Sequence, residues 1–346
     1  MKKLNKILSM ILMGALALTL TACSTNENTS DGTSAGGSNA ETQELKTIRV
    51  GVPGFDDNPV LENGRLAQKL GYFDEELNAV GYKLELVTFQ EAGPAINEAY
   101  ASGQLDLAVY GDLPASVCRS NGVDIKIIGS VNGQQNLAVI AGNDSGIEEP
   151  KDLEGKKVIV GIGTNYHAYW QHLVDAYGID ESKVEIVNVV SDAATVFTTG
   201  EADAWLTFYY NTLYYEKLGH GKTIENTTTH PEMASQFLVT GRTKYLEENP
   251  EAATAFLKAL TRSKDYAVEH PDELYEAVAS PTIGVEIYKK SYDFDPEFKF
   301  LSPGVTDSTL QKLDFLSNFL LAQGFIKEAL DLDGFVDTSY YEAISE

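Results

Sequence analysis

Cysteine, arginine and positive charge are all scarce in this chain. Two cysteines, Cys23 and Cys118, stand among 346 residues. That number excludes both a disulfide-framework scaffold and a metal centre built of cysteines. Lysine and arginine total 26 against 51 aspartate and glutamate, a formal charge of −25. A surface this acidic argues against nucleic acid as a partner and against electrostatic attachment to anionic lipid. No serine, histidine and aspartate fall at a spacing that suggests hydrolysis. No internal repeat is visible, and no cofactor or metal is expected. What is present is a hydrophobic content of 43%, enough for one large or two medium domains.

The first residues read as a targeting segment. Lys2, Lys3 and Lys6 precede the apolar run Ile7–Leu20, which is too short to span a bilayer comfortably. It ends in Leu20-Thr21-Ala22-Cys23, which resembles a bacterial lipobox. The resemblance implies a signal peptide over residues 1–22, cleavage before Cys23, and acylation of that cysteine, palmitate included. Loss of the three lysines would take the formal charge from −25 to −28. Ser24–Glu44 holds almost nothing apolar and cannot offset the entropy of ordering it, so residues 23–45 are expected to form a flexible tether.

Past the tether, strands and helices alternate. Thr47–Val52, Tyr82–Phe89, Leu105–Tyr110, Ile125–Gly129 and Leu137–Ala141 read as strands. A helix with breaks near Gly64 and Gly71 follows the first of them, and another covers Ala95–Tyr100. A second series opens at Pro150, with strands at Val158–Val160, Val184–Val190, Ala202–Thr207 and Gln236–Thr240. From Asn249 the pattern turns helical, ending in Asp307–Gln323 with Leu310, Leu313, Leu316, Leu320 and Leu321 as an apolar stripe. Such alternation predicts an α/β fold with mainly parallel sheets. Two series with a helical tail predict two lobes around a cleft, residues 46–137 with 241–346 and residues 138–240. Ligands of open α/β sheets sit beyond the carboxyl ends of strands. The candidate loops are therefore Phe55–Asn58, Glu91–Pro94, Gly111–Pro114, Gly163–His167, Ser191–Asp192 and Phe208–Asn211.

The most informative stretch is Val158–Gly178. A buried strand turns through Gly161 and Gly163 into a helix that Thr164 or Asn165 can cap. Unpaired amides and the positive end of the helix dipole make such a turn an anion site. Tyr166, Tyr169 and Trp170 fall on the apolar stripe of that helix and are expected to face the core. His167 lies in its first turn, where a neutral imidazole can donate to a ligand or simply meet solvent.

Ala95–Pro114 (AINEAYASGQLDLAVYGDLP) resembles the signature of the sulfonate, nitrate, taurine and thiamine-pyrimidine substrate-binding proteins of ABC importers. Ser145–Gly163 is similar to that family's hinge-to-second-lobe passage, and Asn165–His167 and Ala193–Trp205 to its second-lobe motifs. After Trp205 the chain departs from the family pattern, reading Leu206–Asn211 where an aromatic and Asp-Pro are common. The resemblance implies a two-lobed periplasmic-binding-protein fold of type II with a helical tail. It implies a lipid-anchored receptor on the extracytoplasmic face of the plasma membrane that delivers a small organic anion, an aliphatic sulfonate or taurine-like, to a membrane permease. A nitrate or pyrimidine ligand, or a ligand-sensing subunit of a membrane kinase, are the alternatives. It also implies a monomer without enzymatic activity, since the pyrimidine-forming branch resembles proteins with a cysteine-rich motif that this chain lacks. The candidate ligand residues are Gly163, Thr164, Asn165, His167, Gly111, Asp112, Leu113, Phe55, Asp56, Gln135, Asp192, Trp205 and Tyr209. Asp56 or Asp57 in the cleft would point to an ammonium group on the ligand.

Overall fold

A computed structural model of the protein describes residues 44–55 and 58–345. The signal peptide, Cys23, the tether up to residue 43, Asp56 and Asp57 lie outside the described residues, as does the side chain of Phe55.

The first sheet forms around β1 (Lys46–Phe55), whose alternate residues Ile48, Val50 and Val52 are fully buried. β1 pairs parallel with β3 (Tyr82–Phe89) and with β4 (Leu107–Gly111), while the two-residue β2 (Asn58–Pro59) folds back on its end. The helix expected before β3 breaks near Gly71 as its sequence suggested, into α1 (Asn63–Lys69) and α2 (Tyr72–Ala79), whereas Gly64 lies inside α1 without a break. Gly71 separates them at φ +75°, a conformation that glycine takes without strain. α3 (Ala92–Ala101) precedes β4, and α4 (Asp112–Ser120) leaves it directly. β5 (Ile125–Gln135) is twice as long as the apolar run predicted, because its polar second half still pairs with a neighbour.

The second sheet runs in the order β10-β6-β9-β7-β8. Its strands are β6 (Leu137–Gly142), β7 (Lys157–Ile159), β8 (Glu185–Val187), β9 (Ala204–Phe208) and β10 (Gly221–Asn226). α5 (Asn165–Tyr177) follows β7, α6 (Ala193–Thr198) follows β8, and α7 (Tyr209–Lys217) follows β9. The chain then returns, and β11 (Ser235–Arg242) inserts antiparallel between β4 and β5. Gln236–Thr240 therefore belongs to the first sheet, not to the second series where the sequence pattern put it. Strand pattern alone carries no information about which sheet a returning strand joins. For the same reason the sheets are mixed rather than mainly parallel, since β6 is also antiparallel to both its neighbours.

The two crossings between sheets lie side by side. The outward one is the single residue Asn136, not the Ser145–Gly163 passage. Its Oδ1 accepts from Thr227 Oγ1 at 3.1 Å, and Thr227 and Leu137 exchange two further bonds at 2.9 and 3.0 Å. The remaining helices cover the first sheet. α8 (Thr243–Glu248) leads into α9 (Pro250–Glu269), where Ala252, Phe256 and Leu260 are fully buried and Phe256 stacks on Phe73 at 4.9 Å. α10 (Pro271–Val278) and α11 (Val285–Tyr292) follow, and α12 (Asp307–Ala322) returns across α4 and α5. Only Leu313, Leu316 and Leu320 of its leucine stripe are buried, whereas Leu310 and Leu321 face solvent.

Candidate functional site

The strand ends of the two sheets face each other across a cleft. In its first compartment, about 140 Å³, Thr164, Asn165 and Tyr166 of the α5 turn stand opposite Gly93, Gly111 and Pro114. The turn is built as the glycines suggested. Gly163 adopts φ +81°, which a side chain would strain. The Thr164 hydroxyl donates to Gly161 O at 2.7 Å and accepts from the Tyr166 amide at 3.3 Å, closing the first helical turn. Thr164's hydroxyl is thus committed to capping. The amides of Gly163 and Asn165 make no hydrogen bond among the described residues and lie at the positive end of a 13-residue helix.

Asn165 joins the two sides. Its Nδ2 donates to Gln236 O on β11 at 3.3 Å, and its Oδ1 is buried without a partner. Gly111 makes this approach possible, because a Cβ there would sit 2.1 Å from Asn165 Oδ1. Gly93 has the same role one loop away, where a Cβ would fall 2.4 Å from Pro114. Tyr166 packs against the core of the second sheet, as its place on the apolar stripe suggested, and also lines the cleft, meeting Phe208 edge-on at 5.4 Å.

A second compartment of about 190 Å³ adjoins the first, and Gly54, Val60 and Phe208 border both. Its walls include Glu62, Arg65, Tyr210, Asn211 and Tyr288. Arg65 is the one cation among the described lining residues of either compartment, and its guanidinium donates to Val278 O at 3.0 Å and Ala279 O at 3.3 Å. The other four arginines are engaged elsewhere. Arg49 and Arg242 both pair with buried Asp106, Arg119 with Asp124, and Arg262 with Glu75 and Glu76.

Several candidates from the sequence point away from this cleft. His167 lies two residues past Asn165 and packs edge-on against Phe319 and Phe325 at 5.3 and 5.4 Å, where burial lowers its basicity. Leu113 is buried with Ala168, Leu316 and Phe319. Asp112 accepts from the Leu113 amide at 3.0 Å behind α5, and burial pushes its carboxyl up to about 6 against the opposing charge of Lys312. Gln135 accepts from Asn132 Nδ2 at 2.9 Å inside β5. Asp192 is exposed and caps α6 with its carbonyl, leaving its neighbour Val190 to line the cleft. Trp205 alternates to the other face of β9, beside Phe197 and Tyr215. Tyr209 lines neither compartment, whereas Phe208 and Tyr210 do. Glu62 and Tyr288 were absent from the sequence reading, because only the fold brings positions so far apart to one wall.

A two-sheet receptor with a ligand cleft at facing strand ends is the class that this geometry defines. Residues 59–274 match the family described as NMT1/THI5 like, and the chain belongs to that family. A Bacillus subtilis (strain 168) protein named for aliphatic sulfonates binding is 26% identical over 325 residues, covering 91% of this chain and 93% of that protein. The periplasmic sulfonate-binding protein SsuA of Methylobacillus flagellatus KT has a similar solved structure. Its TM-score is 0.74 at 23% identity, covering 87% of this chain and 94% of that one. The alkanesulfonate-binding protein SsuA of Xanthomonas axonopodis pv. citri, solved bound to MOPS, gives 0.73 at 15% identity over 85% and 99% of the two chains.

Proposed function

We propose that the chain is the extracytoplasmic solute-binding component of an ABC importer, capturing a small organic anion of the aliphatic sulfonate class. The observation that carries this reading is the start of α5, where the amides of Gly163 and Asn165 are unengaged among the described residues and the Asn165 side chain reaches across the cleft to Gly111. A sulfonate there accepts from both amides and from Asn165 Nδ2 once that group turns from Gln236 O. Each hydrogen bond to a charged group contributes roughly 1.5–3 kcal/mol, so three of them in a closed, dry cleft hold an anion without a guanidinium clamp. Kinship with a protein named for sulfonate binding favours the same ligand class.

The rest of the reading concerns placement. The lipobox at Cys23 supports anchoring by acyl chains outside the plasma membrane, and closure of the strand ends on ligand would offer one composite face to a permease. The chain works as a monomer and turns nothing over. Cys118, its one cysteine past the tether, is buried, with its thiol pushed up to about 11 and so unsuited to nucleophilic work.

Titration calorimetry with ethanesulfonate, propanesulfonate, nitrate and an aminopyrimidine tests the ligand class. Micromolar or tighter binding confined to the sulfonates is the expected outcome. Preference for nitrate or the pyrimidine defeats it. Recovery of a chemically altered ligand after incubation would defeat the claim of no turnover.

A further inference from the structure

One aromatic ring separates the two compartments of the cleft. Gly54, Val60 and Phe208 border both, and Phe208 is the one large side chain of the three. Its ring touches the aromatic lining on each side. Towards the first compartment it meets Tyr166 edge-on at 5.4 Å and Phe237 at 6.1 Å. Towards the second it stacks on Tyr210 at 5.1 Å, and Tyr210 in turn meets Tyr288 at 5.0 Å. The same side chain packs against the core of each sheet and against the cluster around α10 and α11. Its backbone is held as firmly. Phe208 ends β9 opposite Leu137, the first residue past the crossing, and the next amide, of Tyr209, donates to Asn136 O at 3.0 Å. A ring held from so many sides is a wall rather than a flap, since any rotation breaks several packed contacts at once.

Space for a longer ligand exists, but it lies behind that ring. The first compartment, about 140 Å³, is bounded beyond the α5 turn by Val60, Val190, Phe208 and Phe237, against which an alkyl tail gains from burial. The second, about 190 Å³, has apolar walls in Leu61, Val278 and Ile283 beside the interacting charges of Glu62 and Arg65. We infer that Phe208 is the end wall of the ligand site and sets the length of the alkyl chain, so that a short alkanesulfonate anchored at the α5 turn lies wholly inside the first compartment. Selection of this kind rests on the sulfonate reading above and deepens it by naming the side chain that chooses among sulfonates. A longer tail must displace the ring, and with it packing against three cores, to use the space behind.

Titration calorimetry of the full chain with ethane-, propane-, butane-, hexane- and octanesulfonate tests the limit. Each methylene buried in the first compartment should tighten binding about fourfold, up to an optimum at butanesulfonate or shorter. Octanesulfonate should bind at least tenfold more weakly than that optimum. Phe208→Ala joins the compartments and should move the optimum to hexanesulfonate or beyond, with octanesulfonate gaining tenfold or more over its wild-type affinity. Phe208→Leu keeps more of the packing and should move the optimum less. A purely structural role would weaken all five ligands by one factor and leave the optimum unmoved, and that outcome overturns the inference. A wild-type affinity that keeps rising through octanesulfonate overturns it too, while the sulfonate reading stands. Binding of no member overturns the sulfonate reading and the inference with it. If Phe208→Ala fails to fold, Phe208→Leu and the wild-type series still decide.

Discussion

The two faces of α5 do different work with adjacent residues. On the cleft face, Asn165 leaves its amide and its buried Oδ1 unengaged among the described residues. On the far face, His167 and His172 pack against rings from α12 and its following turn. His172 lies on Phe315 at 3.8 Å between centroids, and His167 meets Phe319 and Phe325. The first face spends little of its hydrogen-bonding capacity on the fold and so keeps it for a ligand. The second spends its surface on holding the C-terminal helix to the second sheet. One turn of helix thus divides binding from assembly, and substitutions on the two faces should separate affinity from stability.

The largest effect is expected at Gly111, where the faces of the cleft are closest. Gly111→Ala inserts a methyl group 2.1 Å from the present Asn165 Oδ1 and must displace that side chain. Overpacking of this kind costs typically 1–3 kcal/mol, so ligand affinity should fall about thirtyfold, as ~2 kcal/mol implies. The same substitution in an Asn165→Ala background should cost far less, because the displaced atoms are gone. A double-mutant cycle by calorimetry reads the coupling, and additive effects would show that Asn165 is not what Gly111 makes room for.

Next come the neighbours Asn165 and His167. Asn165→Ala removes a donor to a charged group and should weaken sulfonate binding about tenfold (~1.4 kcal/mol) with little change in Tm. His167→Ala should do the reverse. It removes two edge-on ring contacts, each worth about 0.5–1.5 kcal/mol, so stability should drop by about 1–2 kcal/mol while affinity changes less than about twofold. Chemical denaturation and calorimetry on both variants separate these outcomes. A large affinity loss in His167→Ala would put the imidazole back in the cleft.

Much of this division was legible from residue order. The Gly161–Thr164 turn, its cap and the anion-ready amides follow from local rules that need no tertiary information. The strands of the first sheet were legible too, since Ile48, Val50 and Val52 alternate as a buried face must. What was not legible is which way a first-turn side chain points. His167 and Asn165 are equally polar, and only the position of α12, 140 residues later, turns one inward and the other to the cleft. Glu62, Tyr210 and Tyr288 meet for the same reason. β11 was misassigned because an apolar strand reads alike in either sheet. Trp205 was placed in the cleft by a motif, whereas strand alternation sends it to the other face.

A smaller effect concerns acid. His172 is stacked on Phe315, and burial lowers its pKa from 6.5 to about 4. The folded state therefore resists a proton that the unfolded chain accepts. Stability from the neutral ring is fully present above about 6.5 and is lost progressively as pH falls towards 4. Asp112 works in the opposite sense over nearly the same range, its raised carboxyl favouring the fold at low pH. His172→Phe keeps the stack and removes the first of these effects. Its Tm should decline less than the wild type's between pH 7 and pH 4.5, by a difference worth about 2 kcal/mol at most, given 1.36 kcal/mol per pKa unit. Parallel Tm profiles for the two proteins would show that His172 is not titrating against the fold.

The smallest expected effect is the response of sulfonate affinity to salt, and it bears on how so acidic a chain holds an anion. With 51 acidic residues against 26 basic ones, long-range repulsion alone would make binding improve as salt is added. Surface carboxylates lie mostly beyond a Debye length of ~8 Å at physiological ionic strength, so their influence is already weak there. Within the cleft the balance is near neutral: Arg65 and Glu62 share one wall, and the α5 turn contributes amides rather than a full charge. A partial charge of roughly half a unit at a helix end, shielded inside a closed cleft, responds little to bulk ions. Affinity for an alkanesulfonate should therefore change less than about threefold between 20 and 200 mM salt, on the order of 0.6 kcal/mol. A steep loss of affinity with salt, together with an Asn165→Ala variant that binds normally, would mean that a cation rather than the α5 turn holds the anion. Arg65 would then be the side chain to replace, because it is the one cation among the described lining residues of the two compartments.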